Sequence, residues 1–146
     1  MELIKKNFNF VYLVNNSPDK NINHLAAKGV RVINNTSNLG LSIGINIGCT
    51  EAKKAKYDLV CLFDQDTKID SHFNSTMIRN INLYSKSKKN ALYSPICFNT
   101  ITKNYLSLYF VYFLRLKRKQ PDSKILIYYP DFVITSGSYI PLDVIE

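Results

Sequence analysis

The sequence predicts an α/β fold: a three-layer sandwich with a mostly parallel central sheet, in a single domain spanning residues 1–146. Three observations support this prediction. Short apolar runs alternate with segments of helical spacing in the first half of the chain. The run Leu59–Phe63 is apolar throughout, which is typical of a strand covered on both faces in a parallel sheet. The chain has 146 residues, which is long enough for one core. It is 46% hydrophobic, a composition that excludes a disordered tail.

The first half supplies the alternation. Phe10–Val14 is rich in β-branched and aromatic residues and is followed by turn formers, which indicates a strand that ends in a loop. A short helix over Asn21–Lys28 is expected to end at Gly29, and Val30–Ile33 is expected to form a second strand. From Leu41 the apolar spacing becomes helical and predicts a helix of about four turns.

The second half is less regular. After the strand Leu59–Phe63, we expect a helix over Ile69–Tyr84, a strand over Ala91–Phe98 interrupted by Pro95, and two strands, Tyr105–Leu114 and Ile125–Tyr129, pairing around a basic loop at Arg115–Lys119.

Charge and cysteine content limit the function classes. Nineteen Lys and Arg against eleven Asp and Glu give a net charge of +8, which favours nucleic acid, anionic lipid headgroups or phosphorylated small molecules as partners. The three cysteines are widely spaced with no C-x-x-C pair, which argues against a disulfide framework and a zinc site. The N-terminus has no apolar segment of signal-peptide length, so a cytoplasmic location is expected.

Ligands of open α/β sheets bind beyond the carboxyl ends of the strands, so the loops there supply the candidate site. Its candidate residues lie in four loops: Asn15-Asn16-Ser17, Asn38-Leu-Gly40, Asp64-Gln-Asp66 and Ser136-Gly137.

Asp64 and Asp66 form a D-x-D pair directly after an apolar run. If the chain remains extended there, a spacing of two places both carboxylates on one side, where a hard cation would bridge them to a diphosphate. Oxygen ligands without His or Cys suit Mg²⁺ or Mn²⁺. The alternative is that Asp66 caps the next helix and Asp64 is a surface loop acid.

Gly40, Gly44 and Gly48 recur every four residues on the predicted second helix. This face without side chains allows the helix to lie close to the sheet or to a ligand, and simple core packing is the alternative. Asn46 lies among apolar neighbours, so we expect it to be either exposed at the site or hydrogen-bonded.

Three ordered motifs together resemble a known family. They are Asn38-Leu-Gly40-Leu-Ser-Ile-Gly44-Ile-Asn46-Ile-Gly48, Leu59-Val-Cys-Leu-Phe-Asp64-Gln-Asp66-Thr67 and Val133-Ile-Thr-Ser136-Gly137-Ser. In this order they resemble the family-2 glycosyltransferases of GT-A (Rossmann-like) fold, and bacterial rhamnosyltransferases of surface polysaccharide synthesis most of all. The resemblance implies transfer of a sugar from a nucleotide-diphosphate donor to a saccharide or lipid-linked saccharide acceptor.

The resemblance also implies roles for single residues. Asp66 corresponds to the usual metal ligand, with Asp64 beside it and nearer the nucleoside. Gly40 and Asn46 correspond to the segment beside the donor. Ser136 and Gly137 correspond to the loop below the transferred sugar. The predicted nucleotide-sugar site also includes Asn15, Ser17 and Asn38.

The chain departs from the family pattern in three places. It starts after the strand and helix that usually open the fold, and Val14 stands where the family has an Asp. The family's general base lies downstream of the Ser-Gly loop, so no catalytic base is assigned, and Asp143 and Glu146 are expected to be surface acids. These departures imply a fold incomplete at both ends. The alternative function is therefore a non-catalytic fragment that keeps the fold and at most binds nucleotide diphosphate.

The basic segment, comprising Arg115, Lys117, Arg118 and Lys119, follows the aromatic run Tyr105–Phe113. The simplest interpretation is a packed hairpin with a solvated basic turn. The second is peripheral contact with an anionic leaflet at the inner face of the membrane. Binding of single-stranded nucleic acid is the least favoured, and we expect no nucleic-acid partner.

Overall fold

In the computed structural model, residues 2–84, 91–113, 115–122, 124 and 128–144 are described. They combine helices and strands, as predicted for an α/β chain. The helices are α1 (Glu2–Asn7), α2 (Leu41–Lys54) and α3 (Phe73–Tyr84), with short 3-10 helices at Asn23–Leu25 and Leu142–Val144. The strands are β1 (Val11–Asn15), β2 (Val30–Asn34), β3 (Leu59–Cys61), β4 (Phe98–Asn99), β5 (Asn104–Tyr105), β6 (Leu108–Tyr112), β7 (Arg115–Lys119) and β8 (Tyr139–Pro141).

The described strands form four two-stranded sheets: β1 with β2, β3 with β8, β4 with β5, and β6 with β7. β1 and β2 are parallel and in register from Val11 opposite Val30 to Asn15 opposite Asn34, as the predicted crossover requires. The expectation of one mostly parallel central sheet is therefore not met by the described strands.

The chain divides into two compact units. The first unit comprises Met1–Val60, Lys68–Ala91 and Ile140–Glu146, and the second comprises Cys61–Thr67 and Leu92–Tyr139. The predicted single domain of residues 1–146 stays a prediction.

Helix α2 lies against β1 in the first unit because its glycines face the strand. A Cβ at Gly44 would lie 3.1 Å from the side-chain nitrogen of Asn16, and a Cβ at Gly48 would lie 3.5 Å from a Val14 methyl group. The predicted helix of about four turns is confirmed, since α2 has 14 residues. Its inner face also buries Cys49 and Ala52. The glycine spacing thus determines how closely this helix approaches the strand.

The short helix expected over Asn21–Lys28 is wrong in extent. Only Asn23–Leu25 is helical, and Ala26 is extended. The Asn21 side chain accepts a hydrogen bond from the Asn23 N–H at 3.0 Å, a local bond of the kind that competes with helix formation. The chain then turns at Gly29, whose φ of +77° places a hypothetical Cβ 2.9 Å from the Asn9 carbonyl oxygen, so this position requires glycine.

Helix α3 begins four residues later than the predicted Ile69. The Asp70 carboxylate accepts the His72 N–H at 2.7 Å, which holds the chain in a turn before the helix starts at Phe73. On the preceding side, Asn7 at the end of α1 accepts the Asn74 N–H at 3.0 Å and receives a second bond from the Asn74 side chain at 2.8 Å. Helix α1, which the sequence analysis did not predict, is fixed to α3 by this pair.

The apolar run Leu59–Phe63 forms a shorter strand than predicted, because β3 ends at Cys61. All three residues of β3 are half-buried, so the expectation of cover on both faces is wrong. The strand expected over Ala91–Phe98 is reduced to a single bridge between Tyr93 and Tyr139, with β4 starting only at Phe98.

The expected pairing of Tyr105–Leu114 with Ile125–Tyr129 is wrong where it is described. β6 pairs instead with β7, so the basic segment is a strand and not a loop. All five β7 residues are exposed, and charged side chains are common on such edge strands because they oppose edge-to-edge association. Residues 125–127 lie outside the described part. Among the residues that the structure describes, no helix is long and apolar enough to cross a membrane.

Candidate functional site

The predicted site residues form two groups, one in each unit. In the first unit, asparagines occupy the carboxyl ends of β1 and β2. Asn15 is buried and donates from its side chain to the Lys20 carbonyl oxygen at 2.8 Å and to the Asn34 side chain at 3.0 Å. Its side-chain oxygen accepts the Ser17 N–H at 3.0 Å. Asn15 and Ser17 are therefore brought together, as predicted, by an Asx turn that ends the first strand.

Asn16 connects the same strand end to the start of α2. Its side-chain nitrogen donates to the Gly40 carbonyl oxygen at 2.7 Å, and its oxygen accepts from the Asn35 side chain at 2.7 Å. Asn38 in turn accepts the Gly40 N–H at 2.9 Å. Asn38 and Gly40 are thus linked to the first strand through Asn16, which lies between the predicted site residues Asn15 and Ser17.

Asn46 is not part of this network. It is exposed, and it lies two residues beyond Gly44, which places it on the opposite side of α2 from the glycine that contacts Asn16. The expectation of exposure is confirmed, and its role beside a donor stays a prediction.

In the second unit, the D-x-D pair lies in a tight turn. The Thr67 N–H donates to the Asp64 carbonyl oxygen at 3.2 Å, which closes a four-residue turn with Asp66 at its third position. The expectation that the chain stays extended through both acids is therefore wrong. The alternative in which Asp66 caps the next helix is also wrong, because that helix begins at Phe73.

Ser136 joins this turn from 72 residues along the chain. Its hydroxyl accepts the Asp64 N–H at 3.3 Å and forms a second hydrogen bond with the Thr67 hydroxyl. One residue later, the Gly137 N–H donates to the Leu62 carbonyl oxygen at 2.7 Å. The predicted acid pair and the predicted Ser-Gly loop are thus in direct contact.

The Ser-Gly loop is itself well fixed. Ser136, Gly137 and Ser138 are all buried, and Gly137 has a φ of +79°, a left-handed conformation that favours glycine. The Ser138 carbonyl oxygen accepts the Leu62 N–H at 2.9 Å. We refer to the Asp64–Thr67 turn together with Ser136 and Gly137 as the acid turn site.

The two carboxylates of the acid turn site face solvent. Asp64 and Asp66 are both exposed, and within the described residues no salt bridge engages either of them. No group of three or more His, Cys, Asp or Glu suited to a metal ion occurs in the described ranges. A divalent ion at this turn would therefore take its protein ligands from two acids and the remainder from water or a ligand.

The underside of the acid turn site is weakly polar. Burial raises the pKa of the Cys97 thiol, and the negative charge of Asp64 raises it further. The Cys97 thiol lies 3.8 Å from the Ser136 carbonyl oxygen. Burial likewise raises the pKa of Cys61 to about 12, while its hydrogen bond with Tyr139 acts in the opposite direction. Both thiols therefore ionise less readily than an exposed cysteine does.

No family model, curated protein or solved structure matches this chain. The site therefore has to be interpreted from its own residues. Asn16 and Thr67 lay within the segments selected from the sequence, but neither was assigned a role in the site. A repeated signal was present, because Asn-Asn pairs end both parallel strands, at Asn15-Asn16 and Asn34-Asn35.

Proposed function

We propose that this chain is a glycosyltransferase of the family-2, GT-A type, rhamnosyltransferase-like, which transfers a sugar from a nucleotide-diphosphate donor to a saccharide acceptor. In this proposal the acid turn site holds Mg²⁺ or Mn²⁺ together with the donor diphosphate. Asp64 and Asp66 supply the carboxylate ligands, and Ser136 and Gly137 form the floor of the site. Asn15, Ser17, Asn38, Gly40 and Asn46 keep the donor-binding roles that the resemblance implies.

One observation carries this proposal. The motifs that suggested the family are far apart in sequence, yet the Asp64 N–H and the Thr67 hydroxyl both bond to the Ser136 hydroxyl. A surface acid pair of no particular role has no need of a buried serine that fixes its backbone. This serine leaves both carboxylates exposed, which is what a cation shared with a diphosphate requires.

The donor set fits the proposed ion. Mg²⁺ and Mn²⁺ prefer oxygen ligands, and Mg²⁺ is usually held by one or two carboxylates plus phosphate and water. When bound, such an ion stabilises the negative charge that develops on the departing nucleoside diphosphate. The chain's own contribution is to fix the turn before a donor arrives, because the Asp64 N–H donates to the Ser136 hydroxyl and the Asp64 carbonyl oxygen accepts the Thr67 N–H.

The test is calorimetric titration of the full chain with UDP- and dTDP-sugars, with and without Mn²⁺, followed by assays for donor hydrolysis and for transfer. We expect saturable binding that requires Mn²⁺. Asp66→Asn keeps the size of the side chain and removes its charge, and it should weaken metal-dependent binding by roughly tenfold or more, the range seen when metal-site residues are replaced.

Asp58→Asn is the matched control, because Asp58 is also exposed and the hydrogen bond it accepts from the Leu142 N–H, at 2.8 Å, ends on its backbone oxygen, which the substitution keeps. It should bind like the unmodified chain. Binding without turnover identifies a nucleotide-diphosphate-binding module and removes the transferase assignment. Equal binding with and without Mn²⁺, or in Asp66→Asn, contradicts the proposed site.

A further inference from the structure

The β6–β7 hairpin ends in an exposed apolar tip. The tip consists of Phe113, which lies between the paired residues Tyr112 and Arg115, and of the cross-strand pair Val111 and Leu116. Phe113 is 102% exposed, so its ring contacts almost nothing in the protein, and Leu116 is 61% exposed. Isolated exposed apolar residues are ordinary, but three at the end of one hairpin form a surface suited to an apolar partner.

Four basic residues follow this tip along β7: Arg115, Lys117, Arg118 and Lys119, which we call the basic collar. All four are exposed, and the sequence contains no acidic residue from position 104 to position 121. Cross-strand register places Arg118 opposite Tyr109 on one face of the hairpin, and Lys117 opposite Phe110 on the other. Positive charge is therefore present on both faces.

The hairpin is held from its outer edge. The Asp131 N–H donates to the Tyr109 carbonyl oxygen at 3.0 Å, and the Asp131 carboxylate accepts the Val111 N–H at 2.7 Å. Phe132 forms a bridge with Tyr109 beside it. The tip is thus presented by a paired strand whose backbone is already ordered, which lowers the entropic cost of binding through it.

The spacing of apolar and basic residues matches the depth profile of a lipid leaflet. Strand residues advance about 3.4 Å each, so the collar extends roughly 14 Å from Arg115 to Lys119. Apolar groups of interfacial proteins enter about 5–10 Å into the headgroup and acyl boundary. With Phe113 at that depth, Arg115 and Lys117 reach the headgroups, and the rest of the collar lies within about one to two Debye lengths of the surface.

We propose that the β6–β7 hairpin is a membrane-docking element, which inserts its apolar tip into an anionic leaflet while the basic collar contacts the lipid phosphates. This proposal does not depend on glycosyl transfer. A groove for single-stranded nucleic acid aligns aromatic faces and cations along one path. Here the basic residues lie on β7 and alternate between the two faces of the hairpin, and the most exposed aromatic ring, that of Phe113, is at its apex. This arrangement favours insertion over stacking.

The chain contains no tryptophan, so a single introduced tryptophan reports from a known position. Phe113→Trp is the probe and Ile101→Trp is the matched control, because Ile101 is 89% exposed in another turn of the same unit. With phosphatidylcholine vesicles containing about one third phosphatidylglycerol, we expect the emission of the tryptophan at position 113 to shift to shorter wavelength and to be quenched by brominated lipids. The tryptophan at position 101 should remain unshifted.

Flotation of the full chain with the same vesicles measures the energetic contributions. Each basic residue near an anionic surface strengthens binding about fivefold, so Lys117→Gln with Lys119→Gln should weaken binding roughly 25-fold. The control pair Lys20→Gln with Lys28→Gln removes the same charge from exposed positions outside the hairpin and should change binding far less. Phe113→Ser should weaken binding about tenfold or more, because it removes the inserted ring.

Several outcomes overturn the proposal. One is an unshifted emission from the tryptophan at position 113 in the presence of anionic vesicles. Another is equal binding to vesicles of phosphatidylcholine alone, and a third is equal loss in the two lysine pairs. Binding of an RNA oligonucleotide that quenches this tryptophan and that anionic vesicles fail to displace assigns the hairpin to nucleic acid instead. A folded Phe113→Ser variant, checked by circular dichroism, excludes misfolding as the cause of a loss.

Discussion

The glycines of α2 allow a test in which two similar substitutions have opposite effects. Gly44→Ala and Gly48→Ala lie one turn apart on the same face of one helix. Alanine normally stabilises a helix interior relative to glycine by about 0.5–1 kcal/mol. At Gly48 the new Cβ would lie 3.5 Å from a Val14 methyl group, an ordinary contact. We therefore expect Gly48→Ala to stabilise the protein by roughly that amount.

At Gly44 the new Cβ would lie 3.1 Å from the Asn16 side-chain nitrogen. The Asn16 amide has to move by a few tenths of an ångström, and two hydrogen bonds of 2.7 Å at its opposite ends, to Gly40 and from Asn35, resist that movement. Loss of one such bond costs about 1 kcal/mol, which cancels or exceeds the gain in helix propensity. We expect Gly44→Ala to be neutral or up to about 1 kcal/mol destabilising.

Urea denaturation followed by circular dichroism measures both free energies of unfolding. The expected difference between the two variants is about 0.5–2 kcal/mol. In an Asn16→Ala background the obstacle is gone, so Gly44→Ala should there stabilise as much as Gly48→Ala does. Equal stabilisation by both alanines in the unmodified background would refute the packing of α2 against the Asn16 network.

Three further results are expected. Ser136→Ala should lower the free energy of unfolding by about 1–2 kcal/mol and also weaken Mn²⁺ binding, because the Asp64 N–H loses its acceptor. The control Ser138→Ala removes a hydroxyl that is bonded to the Ile134 carbonyl oxygen, so it should lower the free energy of unfolding without changing Mn²⁺ binding. The free energy of unfolding, measured by urea denaturation, should fall as pH rises from about 9 towards 12. The folded state keeps the Cys61 thiol protonated in this range, while the unfolded thiol ionises near its ordinary pKa of 9.0. Cys61→Ala should flatten this fall, and an unchanged slope would contradict the burial of that thiol. Asn7→Ala should destabilise the protein by about 1–2 kcal/mol, measured in the same way, because it removes the side-chain oxygen that accepts the Asn74 N–H and the side-chain nitrogen that donates to the Asp70 carbonyl oxygen.

Elements with a strong local signal were predictable. The strands β1 and β2 and the helix α2 follow from apolar periodicity and from glycines at fixed spacing, and their bounds differ from the predictions by a residue or two. The weaker segments depended on side-chain bonds that periodicity does not reveal. The late start of α3 is due to the Asp70 carboxylate, and the reduced helix at Asn23–Leu25 to the Asn21 side chain.

The β6–β7 hairpin shows a different limit of prediction from sequence. A run of basic residues such as Arg115–Lys119 was assigned to a loop because charge is usually solvated, but a fully exposed edge strand accommodates charge equally well. Its pairing with β6 depends on the tight connection after Tyr112, where Phe113 adopts a φ of +46°. An aromatic residue rarely adopts this conformation, so its sequence gives no turn signal.

The geometry of the acid turn site could not be predicted from residue spacing. The spacing of Asp64 and Asp66 suggested an extended pair, whereas the bond from the Thr67 N–H closes a turn. The contact with Ser136 joins segments 72 residues apart, which only the tertiary fold determines. Both segments were expected at the carboxyl ends of strands, but no feature of the sequence indicated that the Ser136 hydroxyl would bond to the Asp64 N–H.

Binding of a divalent cation together with a nucleoside diphosphate at the acid turn site can be observed by NMR, as paramagnetic broadening of backbone amide signals by Mn²⁺ in the presence of UDP or dTDP. We expect the broadening to be strongest for Asp64–Thr67 and for Ser136 and Gly137. Asp66→Asn should weaken it strongly, and Asp58→Asn should leave it intact. Broadening centred on other residues, or none that saturates, would show that the acid turn site is not where the ion binds.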